Sequence, residues 1–248
     1  MIIISPAKNL NILPEKLPIQ LSEPFFINDT NSLASKLKKL QFDKLKKLMN
    51  ISDSLTELNL QRFQDFNSNK NVFKPAVFLF SGDTFNGLSI RSFSKEMLSL
   101  AQERLRILSG LYGLLRPLDI IQPYRLEMGT QIKIGKHNDL YDFWGDEITK
   151  AINEDKNSDY LINLASVEYF KSINKEKLNS KLINIIFKEK RNGDYKIIGI
   201  NAKKARGLMS RFIIKNKISN PKELKKFKAE NYSYNKNLSS DSDWIFTR

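Results

Sequence analysis

One stretch, residues 106–129, constrains the fold more than any other part of the chain. Its first half reads RILSGLYGLLRPLD, an apolar run that is interrupted by two glycines and a proline. The apolar residues predict burial, whereas the glycines and the proline preclude a long helix and permit close approach of backbones. The pattern predicts a buried strand that ends at a rim of functional polar residues.

Charged residues gather where this apolar run ends, because Arg116, Asp119, Arg125 and Glu127 follow it closely. Two interpretations are open: these residues form a binding or catalytic site, or they form ion pairs that brace a long loop. In both cases buried charges need partners. We therefore expect a carboxylate to lie partly buried beside Arg116 or Arg125. The candidates are Asp83, Asp119 and Glu127.

Apolar periodicity along the rest of the chain predicts a mixed α/β fold, with a central mixed sheet and surrounding helices. A helix over 92–105 lies between apolar runs at 76–80 and 106–115, which favours parallel pairing of those two runs as strands. An Asn-Gly turn at 192–193 favours a hairpin. Further strands are expected at 1–4 and 160–165, in a hairpin formed by 182–187 and 195–200, and in a final hairpin over 232–248.

Residues 31–67 show helical spacing of leucines and phenylalanines. They are expected to form an inserted helical subdomain within one domain that spans residues 1–248. Their segment 45–58 resembles a helix-hairpin-helix motif, in which the start of the second helix faces a DNA phosphate. A plain helical hairpin that covers the core is the alternative.

Asn50 and Ser52 stand in this segment where the motif prefers glycines. Ser54 and Glu57 have the spacing of a capping box, which predicts the start of the second helix. Three lysines precede the hairpin and would add sequence-independent backbone contacts. They are Lys44, Lys46 and Lys47.

The net charge of +14 suits a polyanionic partner such as nucleic acid, but the distribution of that charge is more informative than its total. Residues 203–217 have the spacing of an amphipathic helix and contain no acidic residue. An uncompensated basic helix predicts phosphate binding, and a solvated helix surface is the alternative. Its basic residues of interest are Lys203, Lys204, Arg206 and Arg211.

Composition excludes several classes of protein. The chain has no cysteine, which excludes disulfides, thiolate metal sites and a cysteine nucleophile. It has one histidine, so a histidine-rich metal site is excluded too. No apolar segment approaches the ~20 residues of a membrane span. We expect a cytoplasmic protein without a metal or cofactor, and we favour a monomer.

Polar residues at the ends of the predicted strands suggest a second kind of site. The carboxyl ends of strands in α/β sheets usually carry the groups that contact ligands. Converging polar residues there would form a small-molecule or nucleotide site with an acid/base carboxylate and an anion clamp. The candidates are Lys8, Ser81, Asp83, Arg116, Asp119, Arg125 and Glu127.

Seven short motifs occur in order along almost the whole chain. They are ISPAK (4–8), FSGD (80–83), LSGLYG (108–113), RPLD (116–119), QPYRLEMG (122–129), NLAS (163–166) and AKKARGLMS (202–210). Together they resemble the YaaA-type family of peroxide-stress-resistance proteins. The resemblance implies a cytoplasmic protein that limits oxidative damage to DNA and protein and is associated with lowered free iron. It also implies duplex-DNA binding through a basic cleft and a helix-hairpin-helix, without a settled catalytic mechanism.

Two functions are therefore expected. The leading one is a peroxide-stress protein that binds duplex DNA without sequence preference. Its expected DNA-binding residues are Lys44, Lys46, Lys47, Asn50, Ser52, Lys203, Lys204, Arg206 and Arg211. The alternative is an enzyme that acts on a nucleotide or small molecule at the strand ends.

Overall fold

Three isoleucines near the start of the chain form the central strand of a sheet in the computed structural model, which describes residues 1–15, 21–155 and 159–248. This strand, β1 (Ile2–Ile4), pairs in parallel with β5 (Leu105–Ser109) on one side and with β8 (Tyr160–Leu164) on the other. A strand that has neighbours at both edges and is covered on both faces favours an uninterrupted apolar run.

The sheet continues beyond β8 with two more parallel strands, β9 (Lys181–Arg191) and β12 (Asp243–Thr247). Antiparallel partners complete it: β6 (Gly113–Leu115) beside β5, β10 (Asp194–Lys196) beside β9, and β11 (Ser233–Tyr234) beside β12. The strand order in the described part of the chain is β11-β12-β9-β8-β1-β5-β6, with β10 on β9. The predicted mixed α/β fold with a central mixed sheet is confirmed, as is the final hairpin. The hairpin expected from 182–187 and 195–200 forms only beside its turn, where residues 189–191 pair with 194–196.

Two small strand pairs lie outside the main sheet. β2 (Asn9–Leu10) pairs with β4 (Phe80–Ser81), and β3 (Lys74–Pro75) pairs with β7 (Ile120–Ile121). The helices are α1 (Ile27–Lys38), α2 (Phe42–Met49), α3 (Asp53–Gln64), α4 (Ala76–Leu79), α5 (Asp83–Leu88), α6 (Lys95–Arg104), α7 (Leu140–Trp144), α8 (Glu147–Glu154), α9 (Val167–Phe170) and α10 (Gly199–Lys215). Short 3₁₀ turns occur at Ile90–Ser92, Lys175–Lys177, Pro221–Lys226 and Lys236–Leu238.

The prediction of a buried strand over 76–80 is wrong. Most of this run forms α4, a single helical turn, and only β4 is extended. The first two backbone N–H groups of α4 donate to the carbonyl oxygens of Asp119 and Pro117, so they are satisfied without a neighbouring strand. The parallel pairing that we expected between 76–80 and 106–115 is wrong as well, since β5 pairs in parallel with β1.

The strand expected in residues 106–129 is confirmed as β5, but the apolar run does not continue as one strand. Gly113 has a φ of +67°, and the chain reverses there into β6. An added Cβ at Gly113 would lie 2.9 Å from the Trp144 ring, so the position requires glycine for space as well as for conformation. Because β6 runs antiparallel to β5, β6 ends beside the beginning of β5. The chain therefore leaves β6 at the amino ends of the parallel strands, opposite to their carboxyl ends.

Helices α1, α2 and α3 confirm the helical pattern of residues 31–67. Leu33, Leu45 and Phe63 are fully buried and belong to the same apolar cluster as β1. Two consecutive helices joined by a tight turn are therefore present. Their identity as a DNA-binding helix-hairpin-helix stays a prediction.

The turn between α2 and α3 is built differently from the expected capping box. Asn50 ends α2 in the left-handed conformation, with a φ of 49°. Ser52 then caps α3, because its Oγ accepts a hydrogen bond from the backbone N–H of Leu55 (3.4 Å). The box predicted at Ser54 and Glu57 is wrong, since the helix has already begun at Ser54.

The amphipathic helix expected over 203–217 is confirmed as α10. It begins earlier than expected, at Gly199, so the strand expected over 195–200 is reduced to β10. Its apolar residues Ala205 and Met209 are fully buried. Among the described residues, neither α10 nor any other helix has the length and apolar character that crossing a bilayer requires.

Two glycines bring α10 unusually close to α5. An added Cβ at Gly207 would overlap the carbonyl oxygen of Thr84, and one at Gly87 would overlap the carbonyl oxygen of Lys204. Only glycine permits this approach of one backbone to the other. The first turn of α5 is thereby held against the middle of α10.

Candidate functional site at the carboxyl ends of β1 and β8

The carboxyl ends of β1 and β8 lie side by side where the chain changes direction across the sheet. After β1 the next strand of the main sheet is β5 on one side, and after β8 it is β9 on the other side. Neighbouring strands with connections in opposite directions leave a crevice at their carboxyl ends, where open α/β sheets bind ligands. A cavity of about 470 Å³ opens there.

Five separate parts of the chain line this cavity. They are residues 5–9 after β1, residues 81–84 at the start of α5, residues 124–127, residues 164, 166, 168 and 169 around the start of α9, and Lys203 and Arg206 of α10. The structure thus brings together five of the seven residues that the sequence suggests for an enzyme site. These five are Lys8, Ser81, Asp83, Arg125 and Glu127.

Two serines join the strand ends beneath the cavity. The backbone N–H of Ser166 donates to Ser5 Oγ (2.8 Å), and Ser5 Oγ in turn donates to Ser166 Oγ (3.3 Å). Ser166 also caps α9, since its Oγ accepts from the N–H of Tyr169 (3.5 Å). These bonds tie the chain after β1 to the chain after β8 and hold the two lining segments in register.

Glu127 lies between two cations. Its Oε1 is 3.1 Å from Lys8 Nζ and 3.0 Å from Arg125 Nη2. The side chains of Glu127 and Arg125 are each 16% exposed, whereas that of Lys8 is 65% exposed. The expectation of a partly buried carboxylate beside Arg125 is confirmed.

The geometry of this ion pair leaves hydrogen-bonding capacity unused. Within the described residues, the buried Glu127 Oε1 accepts no hydrogen bond and the buried Arg125 Nε donates none. The two side chains are nevertheless within ion-pair distance through Arg125 Nη2. Behind Arg125, Arg62 of α3 donates to Asn59 Oδ1 (3.3 Å). Burial, and then the like charge of Arg125, lower the pKa of Arg62. The helical hairpin therefore adds positive potential behind this side of the cavity.

Neutral phenols and a third carboxylate complete the wall. The hydroxyl of Tyr124 lies 2.6 Å from Ser109 Oγ, and burial raises the pKa of both Tyr124 and Tyr169. Glu168 Oε1 accepts a hydrogen bond from the backbone N–H of Gly129 (3.0 Å). At neutral pH these tyrosines act only as uncharged hydrogen-bonding groups and apolar surface.

Lys203 and Arg206 reach the cavity from α10. Lys203 is exposed and Arg206 is partly buried. Neither side chain has a hydrogen-bond or ion-pair partner in residues 1–15, 21–155 and 159–248. Burial lowers the pKa of Arg206, and no carboxylate offsets that effect. The structure thus places two residues that we expected on a DNA-binding helix at the same site as Lys8 and Glu127.

Arg116 and Asp119 do not join this site. Asp119 is fully buried and accepts hydrogen bonds from Ser22 Oγ (2.6 Å), the Arg116 N–H (2.8 Å) and Arg116 Nε (3.0 Å). Arg116 also donates to the carbonyl oxygen of Glu23 (2.7 Å) and lies over the ring of Phe25. They follow β6, so they lie at the end of the strands opposite to the cavity. They form the loop-bracing ion pair that was the alternative interpretation.

Several of the other expected DNA-binding residues are engaged within the protein. Lys46 pairs with Asp53 (2.5 Å), and Lys204 pairs with Glu230 (2.6 Å). Arg211 donates to Ser92 Oγ (2.6 Å) and to nearby backbone carbonyls. The expectation that α10 is uncompensated is therefore wrong for Lys204, because its acidic partner comes from a distant segment. Lys44, Lys47, Asn50 and Ser52 are exposed.

Sequence reasoning gave no role to several residues of the cavity, among them Ser5, Tyr124, Ser166 and Glu168. A signal for the two serines was present, because each follows a short buried strand and parallel strands end at the same edge of a sheet. Glu168 and Tyr124 had no such signal. Their positions depend on how the loops fold over the strand ends.

Comparisons with known proteins confirm the family resemblance of the sequence. The family model described as peroxide stress protein YaaA matches residues 1–238. The UPF0246 protein of Acaryochloris marina is 48% identical, with 100% of this chain and 99% of that protein aligned. The UPF0246 protein of Saccharophagus degradans is 47% identical, with 100% and 99% aligned, and that of Idiomarina loihiensis is 43% identical, with 99% and 97% aligned. The chain belongs to the peroxide stress protein YaaA family.

Proposed function

We propose that this peroxide-stress protein binds duplex DNA without sequence preference and so protects it from oxidative damage. The observation that carries the proposal is the meeting of four cations from three separate parts of the chain around one cavity: Lys8, Arg125, Lys203 and Arg206. Clustered cations attract a polyanion and release its counterions on binding. Lysines and backbone N–H groups read phosphates and carry no base specificity.

The turn between α2 and α3 is proposed as a second phosphate contact, assisted by the exposed Lys44 and Lys47. Its contribution is expected to be the smaller one. Ser52 Oγ already accepts the N–H of Leu55, and the carboxylate of Asp53 lies in the first turn of α3. A phosphate that approaches this helix start has to compete with both groups.

A salt titration tests this proposal. Lys8 and Arg125 are already paired with Glu127. Neutralisation of two phosphates by Lys203 and Arg206 therefore predicts a slope of about −1.8 for log affinity against log salt, steeper by about 0.9 for each further phosphate contact. Two duplexes of equal length and different sequence are expected to bind equally. A flat salt dependence contradicts the proposal, and so does a preference of the ~1–3 kcal/mol that one base-reading contact provides.

Charge-reversal variants locate the DNA surface. Lys203→Glu is expected to weaken duplex binding and to reduce the salt slope by about one unit. Lys215→Glu makes the same change of charge on the same helix, but Lys215 does not line the cavity. An equal loss of duplex affinity in the two variants would show that binding depends only on the net charge of the protein. The double variant Lys44→Glu/Lys47→Glu measures the contribution of the helical hairpin in the same way.

A second candidate function is an enzyme that acts at the cavity, and the observation that favours it is Glu127, a carboxylate held beside two cations. Glu127→Gln removes the negative charge with little change in size. Cells that carry this variant are compared for peroxide survival and free iron, which the family resemblance links to the protein. Loss of protection with duplex affinity unchanged favours the enzyme. If protection follows DNA affinity across all variants, the DNA proposal is supported.

A further inference from the structure

We propose that the cavity at the ends of β1 and β8 is a binding site for a single phosphomonoester, held by Lys203 and Arg206, of the kind carried by a nucleoside monophosphate. This goes beyond contact with the phosphodiester backbone of a duplex. A volume of about 470 Å³ lies in the ~300–1,000 Å³ range of small-molecule sites. Such a cavity accommodates one nucleotide, whereas a duplex can only lie across its mouth.

The charges around the cavity favour an anion at one end. Its lining contains four cations and three carboxylates. Glu127 is paired with two of the cations, Lys8 and Arg125. The other two, Lys203 and Arg206, have no acidic partner in the described part of the chain, and Arg206 is partly withdrawn from water. A charge that is partly withdrawn from water is stabilised by a counter-charge, which a ligand can supply.

A phosphomonoester fits these two cations better than a phosphodiester does. It carries about −1.5 to −2 charges at neutral pH and presents three terminal oxygens. A guanidinium binds two of those oxygens through its forked N–H donors, and an ammonium acts as a compact point charge beside it. A backbone phosphodiester carries a single charge, so it leaves one of the two cations uncompensated.

The remaining polar groups suit the rest of a nucleotide. Asp83 has no hydrogen-bond or ion-pair partner for its carboxylate in the described residues, and Glu168 uses only Oε1, on the N–H of Gly129. Ionised carboxylates only accept hydrogen bonds. They therefore select a ligand with donor groups, such as the hydroxyls of a sugar or the amino group of a base.

The experiment measures binding of a nucleoside monophosphate, dAMP, to the full chain by calorimetry, with deoxyadenosine as the matched ligand that lacks the phosphate. We expect dAMP to bind at least about tenfold more tightly, the effect of a charge-assisted hydrogen bond. Lys203→Gln is expected to weaken dAMP binding about tenfold or more, with little effect on folding because Lys203 is exposed. The matched control Lys215→Gln is expected to leave dAMP affinity unchanged.

Two sources of the phosphomonoester are distinguished by a duplex with and without a 5′-phosphate. Tighter binding of the phosphorylated duplex, with displacement by dAMP, supports the proposal with a DNA end as the source. Equal binding of the two duplexes while dAMP still binds supports it with a free nucleotide as the source. Equal affinity for dAMP and deoxyadenosine overturns the proposal. An equal loss of dAMP affinity in the Lys203→Gln and Lys215→Gln variants overturns it too. Either result leaves salt-dependent duplex binding as a separate question.

Discussion

Substitution of Gly207 by alanine tests whether the close contact of α5 with α10 holds one wall of the cavity in place. An added Cβ at Gly207 would overlap the carbonyl oxygen of Thr84 and lie 2.7 Å from the backbone nitrogen of Leu88. Gly87 makes the reciprocal approach, since a Cβ there would lie 3.2 Å from the Cα of Gly207. All these obstacles are backbone atoms, so no change of rotamer relieves them. The helices have to move apart.

The size of the effect follows from that displacement. The added Cβ would lie 1.9 Å from the Thr84 oxygen. Ordinary contacts between non-bonded heavy atoms lie at about 3.5–4.0 Å, so the helices have to separate by roughly 1.5–2 Å. Overpacking of a core costs about 1–3 kcal/mol of stability. Because the atoms in contact belong to the backbone on both sides, we expect the cost of the Gly207 substitution to lie near the upper value of about 3 kcal/mol. Alanine recovers about 1 kcal/mol through its higher helix propensity. We expect a net loss of about 2 kcal/mol in the free energy of unfolding, or a Tm lower by roughly 4–8 °C.

Denaturant unfolding measures this loss, and Gly199→Ala provides the matched control. Gly199 lies on the same helix, and a Cβ added there meets no atom within 4 Å. The control is expected to be as stable as the parent chain or slightly more stable. Lys203 and Arg206 lie within about one turn of Gly207, so dAMP affinity should fall in the Gly207 variant only. Equal unfolding midpoints for the two variants would refute the reasoning.

Three further predictions concern charged groups outside the cavity. Asp119→Asn deprives the Arg116 guanidinium of its carboxylate and is expected to lower the free energy of unfolding by about 3 kcal/mol, measured with denaturant. Burial acts to raise the pKa of Glu189, but hydrogen bonds from four neighbours outweigh it, so the pKa is lowered. Its stabilisation is thus fully present above the unfolded pKa of about 4.3 and is lost as the pH falls through the folded pKa. The stability gap between the parent chain and Glu189→Gln should be constant from pH 5 to 8 and should close in acid; a gap that persists in acid contradicts this. Glu230→Gln frees Lys204 and is expected to steepen the salt slope of DNA binding by up to about 0.9. Glu176→Gln is the control of equal charge, because Glu176 is exposed and has no ion-pair partner in the described part of the chain.

The central strands could be predicted from the sequence because their apolar runs end at clear breakers. Residues 1–4 are followed by Ser-Pro, and β9 is closed by an Asn-Gly turn. The run at 76–80 is also bounded by breakers, Pro75 before it and Ser81-Gly82 after it, but those breakers do not distinguish a strand from a helical turn. A short apolar segment satisfies burial equally well as a strand or as one helical turn, and its backbone bonds to residues 117 and 119 settle the choice.

The site was predictable where it depends on strand ends and unpredictable where it depends on distant segments. Lys8 and Ser81 were expected to converge because each follows an apolar run. The partnership of Lys204 with Glu230 could not be read from the pattern of α10, since the glutamate comes from another part of the chain. For the same reason the sequence did not separate Lys203, which faces the cavity, from Lys204 beside it.

The hairpin separates the charged residues of 106–129 into two groups, because Arg116 and Asp119 form an ion pair away from the cavity, whereas Arg125 and Glu127 line it. The chain leaves β6 at the end of the strands opposite to the cavity, where Arg116 and Asp119 brace the loop. It then returns past Gly110, where an added Cβ would lie 3.1 Å from the carbonyl carbon of Glu127. This close approach sets the position of Glu127 between Lys8 and Arg125. The glycines of LSGLYG therefore do two things: Gly113 turns one charged pair away from the cavity, and Gly110 lets the other reach it.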